Sequence, residues 1–211
     1  MSWTYTGNDK LARVAARLYE QRTQPCKISP MVFMSDPKRA PDVLAIVRSL
    51  PKGATFIYRH FGSDARENIA RELREITVTH NIQFLIGQDV KMAEKIGADG
   101  VHLPERALEQ GRMLRREHPN WLLTGAAHSI QAVAQCEQHG LDAALLSPIF
   151  ASESKSAGKP IGASVLADIV SKVNIPIIAL GGISAETAPK LLGSGVAGMA
   201  GISMFCGHHH G

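Results

Sequence analysis

The sequence predicts an α/β protein folded as one (β/α)8 barrel, a TIM barrel, and three observations lead to this prediction. Eight short apolar runs alternate with segments of helical spacing along the 211 residues. No hairpin signal joins neighbouring runs, and an apolar fraction of 45% is enough to bury one full core. Short apolar strands in this alternation form a parallel sheet, and eight of them close into a barrel. An open doubly wound sheet is the alternative, disfavoured because no GxGxxG motif follows the first strand.

The predicted strands are short apolar runs, each bounded by polar or glycine-containing turns. In chain order they cover residues 31–34, 54–61, 82–86, 100–103, 121–126, 143–146, 175–180 and 196–202. The predicted helices carry apolar residues on one face and cover 8–22, 42–50, 65–79, 90–96, 107–117, 130–139 and 162–173. A further helix between the last two strands begins at Ser184, a favoured N-cap residue type, and ends at Gly193.

The helix that should follow the eighth strand is missing, because the sequence ends shortly after Phe205. An uncovered barrel wall would leave an apolar patch exposed to water. The spare amphipathic segment 8–22 carries Leu11, Val14, Leu18 and Tyr19 on one face, and we expect it to cover this wall. A second subunit is the alternative cover. The expected organisation is a helix and linker at 1–30, the barrel at 31–205 and a tail at 206–211.

Composition excludes several classes of function. The net charge is +4 with scattered charges, and only 5% of residues are aromatic, so we expect no nucleic-acid partner and a small anionic ligand instead. The polar N-terminus and the lack of any apolar run near ~20 residues predict no membrane segment. Three unpaired cysteines are typical of a reduced, cytoplasmic protein. A homo-oligomer remains possible, and the terminal histidines 208–210 are either a native tail or a tag remnant.

A phosphate site is predicted on the loops after the last two strands. Gly181 and Gly182 follow the seventh strand, and Ile202 and Ser203 close the eighth. In barrels of this type, these two loops commonly hold a phosphate through backbone N–H groups. Glycine pairs also occur in ordinary tight turns, so the prediction rests on the pair together with the barrel pattern.

Further candidates lie where other strands end, since barrel active sites occupy that face. Arg59 ends the second strand and could bind a phosphate or carboxylate, or be a plain surface charge. His128 follows the fifth strand and is either a general acid and base or a loop histidine beside the N-cap Ser129. The loop 152–159 is either a soluble loop or a lid whose Lys155 reaches an anionic substrate. No metal-ligand spacing occurs, so we expect neither a metal nor another cofactor.

Several motifs resemble the family of thiamine phosphate synthase and its relative thiazole tautomerase, over residues 31–205. They are GADGVHLPE at 97–105, HS at 128–129, SPIFASESK at 147–155, ALGGI at 179–183 and MAGISMF at 199–205. The resemblance implies a barrel that holds a thiazole phosphate on the loops after strands seven and eight. It also implies a catalytic histidine at His128 and substrate contacts at Ser152, Ser154 and Lys155.

The sequence departs from the synthase pattern where the family binds Mg²⁺ and diphosphate. An Asn-Asp pair and a second aspartate are expected there by resemblance, and this chain has Gly87, Gln88 and Ala107. The family lysine near Arg59 is replaced by Phe61, and a serine near the reacting centre by Ala126. Without carboxylates, a hard divalent cation has no ligands at these positions.

The sequence therefore favours a thiamin-biosynthesis family barrel that binds a thiazole-type phosphate and moves a proton through His128, as an isomerase resembling the tautomerase. One alternative is a transferase, thiamine phosphate synthase, with Mg²⁺ relocated to Asp89 or Glu105. A second alternative is a non-catalytic protein that binds a phosphorylated metabolite. The exact substrate stays open between these readings.

Overall fold

A computed structural model describes residues 10–62, 65–152 and 158–205. Eight parallel strands form a closed barrel in which each strand pairs with its sequence neighbours and β1 pairs with β8. The predicted (β/α)8 barrel is therefore confirmed. Ser154, Lys155 and the tail 206–211 lie outside the described residues.

The strands lie within the predicted runs or extend one residue beyond them, and the second, seventh and eighth are shorter than predicted. They are β1 Met31–Met34, β2 Thr55–Tyr58, β3 Gln83–Gly87, β4 Gly100–Leu103, β5 Leu122–Ala127, β6 Ala143–Leu146, β7 Ile177–Leu180 and β8 Gly198–Gly201. The helices are α1 Lys10–Gln21, α2 Val43–Ser49, α3 Arg66–Thr79, α4 Val90–Ile96, α5 Gly111–Glu117, α6 Ile130–Gln138 and α7 Ala163–Val170. Within the described ranges no helix has the length and apolar character needed to span a membrane.

The helix predicted between β7 and β8 is wrong in length. Only a 3-10 turn, Ala188–Leu191, forms there. The Ser184 hydroxyl accepts the N–H groups of Glu186 and Thr187, as an N-cap does. However, Pro189 lacks an N–H and disfavours a helical conformation at the residue before it, so a full α-helix does not propagate.

The segment predicted as one helix over 107–117 instead belongs to two separate elements. A 3-10 segment, Glu105–Gln110, precedes α5, and Ala107 within it has non-helical dihedrals. The chain after β4 therefore turns at Ala107 before the α-helix begins at Gly111. This places Glu105 on the rim of the barrel instead of in a regular helix.

Strand residues alternate between the barrel interior and the layer under the helices, as the pleat requires. Interior positions carry aliphatic side chains such as Val32, Ile57, Leu85, Leu145 and Ile178. The outer layer contains a row of aromatic rings that crosses three neighbouring strands. Phe33, Phe56 and Phe84 stack in register, with ring centroids 5.4 Å and 5.3 Å apart.

Helix α1 covers the barrel wall beside β8, as predicted, but not alone. The apolar face of α1, which includes Leu11, Val14 and Leu18, is buried, and the helix packs on β8 and on the 3-10 turn before it. On the neighbouring wall the Phe205 ring contacts Phe33 of β1 edge to face, with centroids 5.3 Å apart. Two separate segments therefore cover the barrel wall at the β8–β1 seam.

Truncating α1 at its most buried large side chain tests this packing. Leu18 is 1% exposed, and Leu18→Ala should lower the free energy of unfolding by about 2–5 kcal/mol, because the change leaves a cavity. The exposed neighbour Arg17 is the control, and Arg17→Ala should change it by less than about 0.5 kcal/mol. Urea denaturation of both variants measures the difference. Equal stabilities would show that α1 does not cover the barrel wall.

Candidate active site

A cavity of about 310 Å³ opens at the carboxyl ends of the strands, where a barrel active site is expected. Five of the residues singled out in the sequence line it: Arg59, His128, Ser152, Gly181 and Ile202. The remaining described candidates, Gly182 and Ser203, directly follow two of these lining residues in the chain. The structure therefore brings the described candidates to one end of the barrel. The volume is at the lower end of the range of small-molecule sites.

The glycine pair after β7 is required by close packing of two loops. Gly181 and Gly182 have φ values of +96° and +65°, in the region that favours glycine. A Cβ on Gly182 would lie 2.3 Å from the carbonyl oxygen of Ala151, in the loop after β6. The Phe150 N–H donates to the Gly181 carbonyl at 3.0 Å and ties the two loops together. Any substitution at Gly182 would therefore deform the two loops.

The loop after β1 supplies a cation to the predicted phosphate side. Arg39 lines the cavity, and its guanidinium donates to the Ser203 hydroxyl at 2.6 Å. The Asp36 carboxylate shapes the turn that presents Arg39, by accepting the N–H groups of Lys38 and Arg39 at 2.9 and 3.2 Å. Arg39 is not among the site residues predicted from the sequence. Arg39 lies in the loop after the first strand, so a search of the residues after every strand end would have found it.

Arg59 is a largely buried cation on the cavity wall. Its backbone N–H donates to the Ser35 hydroxyl at 2.8 Å, and its guanidinium contacts the Met34 sulfur. Burial lowers the pKa of Arg59, the Asp36 carboxylate opposes this shift, and the Arg39 guanidinium adds to it. A guanidinium that has lost solvent gains more from a bound anion than one in water does.

His128 forms a pair with Glu105 on the opposite rim. The His128 Nδ1 lies 2.7 Å from the Glu105 Oε2, and the same oxygen accepts the His128 backbone N–H at 2.9 Å. An ionised carboxylate only accepts hydrogen bonds, so the imidazole proton lies on Nδ1. Nε2 is then the basic nitrogen of the ring. The His128 side chain is 60% exposed, which leaves it accessible to a ligand in the cavity it lines.

A second histidine, His102 of β4, lines the cavity but has a different character. The ring is buried, and its Nδ1 lies 3.0 Å from the Thr124 hydroxyl of β5. Burial, with a smaller contribution from the Arg59 charge, lowers the pKa of His102 to about 3. The ring is therefore neutral at physiological pH. His102 belongs to the motif at 97–105 but was given no role from the sequence, because it lies within a predicted strand and not after its end.

The positions that correspond to the family's metal ligands do not fit Mg²⁺. The Gln88 side-chain oxygen accepts a hydrogen bond from the Arg106 guanidinium at 2.7 Å, so a cationic group already occupies this part of the rim. Gly87 and Ala107 offer no side-chain oxygen. A guanidinium and a divalent cation repel each other, and Mg²⁺ needs at least one carboxylate.

The two carboxylates considered for a relocated metal are both engaged. Asp89 caps α4 by accepting the Met92 N–H, and it pairs with Arg66 at 2.7 Å. Glu105 is the partner of His128. Across the described ranges, no three histidine, cysteine, aspartate or glutamate side chains come together as a metal site. Among the described residues, Asp89 and Glu105 therefore do not form a donor set that fits the relocated ion.

Comparison with known proteins agrees with the fold and with the sequence motifs. A family model described as thiamine monophosphate synthase matches residues 31–205. The chain belongs to this family. It is 39% identical over 137 residues to a protein of Aquifex aeolicus named putative thiamine-phosphate synthase 2, covering 65% of this chain and 73% of that protein. It is 29% identical over 182 residues to the thiamine-phosphate synthase of Pyrococcus horikoshii, covering 84% and 86%.

A solved family structure has the same fold. The thiamine phosphate pyrophosphorylase of Pyrococcus furiosus superposes with a TM-score of 0.70 at 27% identity, over 82% of this chain and 85% of that one. Family membership therefore covers the whole barrel. The reaction that this chain catalyses is a separate question, because the Gly87, Gln88 and Ala107 positions depart from the family pattern.

The low pKa of His102 predicts a pH dependence of stability. The unfolded chain binds a proton at the ordinary pKa of about 6.5, whereas the folded ring stays neutral down to about pH 3. Below pH 6.5 the unfolded state therefore binds more protons, and stability falls as pH falls. Between pH 7 and pH 5 this residue should cost about 2 kcal/mol of unfolding free energy.

Urea denaturation of the parent and of His102→Gln at both pH values measures this effect. The variant should lose about 2 kcal/mol less than the parent between pH 7 and pH 5. NMR titration of the ring is the independent check, and a His102 ring that titrates near pH 6.5 in the folded protein would contradict the assignment.

Proposed function

We propose that this chain binds a small thiazole-type phosphate in the cavity and catalyses a proton transfer on it, as an isomerase. The observation that carries the proposal is the 2.7 Å pair of His128 and Glu105 on the cavity rim. General acid–base catalysis needs one titratable group near neutral pH, held in one orientation within reach of the substrate. A histidine oriented by a carboxylate can take up a proton at one position of a ligand and return it at another.

The phosphate would bind on the side formed by the loops after β7, β8 and β1. Gly181 and Ile202 line this side, and Arg39 reaches it through Ser203. The phosphate charge is then matched by a guanidinium and backbone N–H groups, the donors that bind anions in this fold. Ser152 lines the same cavity, while Ser154 and Lys155 are proposed as further substrate contacts from the family pattern alone.

The proton would move through His128 Nε2. In the resting state Glu105 holds the proton of the ring on Nδ1, so Nε2 can accept a proton from one carbon of the bound ligand. The imidazolium that forms is stabilised by the adjacent carboxylate, and it returns the proton to a different atom of the ligand. The ligand is isomerised with no net change in its atoms, and the histidine is restored.

The transferase reaction of thiamine-phosphate synthase is the second candidate, and the comparisons support it better than they support the isomerase. The family model and the relatives described above carry that name. The residues on the cavity rim argue against the transferase reaction, because the charge of a departing diphosphate would have to be neutralised without carboxylate-bound Mg²⁺. Removing one such electrostatic contact typically costs about 3–4 kcal/mol in the barrier.

The acid–base pair gives the test of the isomerase. His128→Gln should lower kcat for thiazole phosphate isomerisation by about 10²–10⁴-fold and leave ligand affinity nearly unchanged. Glu105→Gln should lower kcat less and shift the pH profile of kcat, because Glu105 acts through the histidine. Glu109→Gln, on the same 3-10 segment, is the control and should leave kcat and the profile unchanged. A His128→Gln variant as active as the parent would remove this residue from the mechanism.

The transferase candidate has its own test. We expect the unmodified protein to show no Mg²⁺-dependent condensation of a pyrimidine diphosphate with thiazole phosphate. The double variant Gln88→Asp and Ala107→Asp should bind Mg²⁺ measurably, because carboxylates are restored and aspartate tolerates the φ of +64° at position 88. Calorimetry with MgCl₂ and an assay of condensation with and without EDTA make both measurements. Efficient, EDTA-sensitive condensation by the parent would establish the transferase instead.

A further inference from the structure

An exposed aromatic ring lies on the rim of the cavity, at a position where water would solvate a polar side chain better. Phe61 follows β2 and is 46% exposed. Other large apolar side chains that are similarly exposed, such as Met113 at 43%, lie outside the described lining of the cavity, whereas Phe61 forms part of that lining. An exposed ring at the mouth of a binding cavity is apolar surface that a ligand can cover.

The Phe61 ring is held in place by the charged side chain of Arg66, which is itself fixed by other groups. The Arg66 guanidinium lies over the Phe61 ring, 5.2 Å from its centroid, which is within cation–π range. Arg66 is itself fixed by the Asp89 carboxylate at 2.7 Å and by the Gly87 carbonyl at 3.3 Å. The position of the Phe61 ring therefore depends on the last residue of β3 and on the N-cap of α4, as well as on the loop that carries Phe61.

The end of β3 is shaped to admit this ring. A Cβ on Gly87 would lie 3.4 Å from the Phe61 ring and 3.1 Å from the Arg59 side chain. A longer side chain at position 87 would have to displace one of the two. The glycine thus leaves room on the rim, and Phe61 and Arg59 approach it from the loop after β2.

We propose that Phe61 is a specificity-determining residue, whose ring packs against the uncharged heteroaromatic part of a monophosphorylated ligand. This inference rests on the proposed function for the position of the phosphate, on the side of Gly181 and Arg39. With the phosphate held there, the rest of a small ligand in a 310 Å³ cavity faces the walls formed by Phe61, Met34 and Leu180. Contacts between aromatic rings add to the apolar area that is buried.

The same ring offers no hydrogen bond to a second charged group on the ligand. A diphosphate placed beside Phe61 would lose part of its hydration without gaining a hydrogen-bond donor from the ring. The neighbouring Gln88 is already bonded to Arg106. The rim at β2 and β3 therefore offers an apolar contact to a ligand, and Gly87 and Gln88 offer no carboxylate for a metal that would accompany a diphosphate.

Calorimetric titration of the full chain tests the inference with three probes: 4-methyl-5-(2-hydroxyethyl)thiazole phosphate, inorganic phosphate, and pyrophosphate with and without Mg²⁺. The variants are Phe61→Ala, which removes the ring, and Phe61→Leu, which keeps apolar bulk. Met113→Ala removes a similarly exposed apolar side chain on α5 and is the matched control. Circular dichroism confirms that each variant is folded before titration.

We expect the parent to bind thiazole phosphate at least about ten-fold more tightly than inorganic phosphate, and Mg²⁺ to leave pyrophosphate binding unchanged. Phe61→Ala should reduce the ratio of the two affinities about ten-fold, corresponding to about 1.4 kcal/mol, with inorganic phosphate bound as before. Phe61→Leu should keep the ratio within about three-fold, and Met113→Ala should not change it.

An unchanged ratio in Phe61→Ala would overturn the inference, as would a parent that binds both probes equally. An equal loss of both affinities would also overturn it, by showing that Phe61 only supports the fold of the site. Absence of isomerase turnover with a preserved Phe61-dependent ratio would reject the proposed reaction and leave the specificity role established.

Discussion

Pairing of the first strand with the last is the constraint on which the candidate site depends. Val32 of β1 pairs with Ala200 of β8, and this pairing closes the barrel. Closure also places the loop after β1 beside the loop after β8, although 164 residues separate Arg39 from Ser203 in the chain. In an open sheet these two edges would lie at opposite ends. The Arg39 guanidinium would then be far from the glycine pair, and the proposed phosphate site would lose this cation.

Much of the fold could be predicted because it follows from local patterns. Buried parallel strands appear as short apolar runs, and α1 appears as a strongly amphipathic segment whose face must be covered. The errors lie where one residue overrides the pattern. Pro189 limits the segment before β8 to a 3-10 turn, and the backbone turn at Ala107 divides the helix after β4. Such breaks depend on individual dihedrals, which hydrophobic periodicity does not report.

The candidate site was predictable only in part, for a similar reason. Residues that follow strand ends, such as Arg59 and His128, could be placed on the rim by topology alone. The pairing of His128 with Glu105 and of Gln88 with Arg106 could not, because side-chain partners come from different loops. Likewise, nothing in the sequence around His102 reports that burial keeps its ring neutral. Topology locates a site, whereas partners and desolvation decide its chemistry.

The short stretch Ser203–Phe205 contributes both to the mouth of the cavity and to the cover of the barrel wall. Ser203 accepts a hydrogen bond from Arg39 at the mouth of the cavity, and Phe205 packs on the outside of β1. A ligand that engages Arg39 and Ser203 therefore also restrains the segment that covers the seam between β1 and β8. By mass action, occupancy of the cavity stabilises the seam against local opening. Amide exchange in the strands at the seam becomes a reporter of ligand binding, although these amides lie outside the cavity itself.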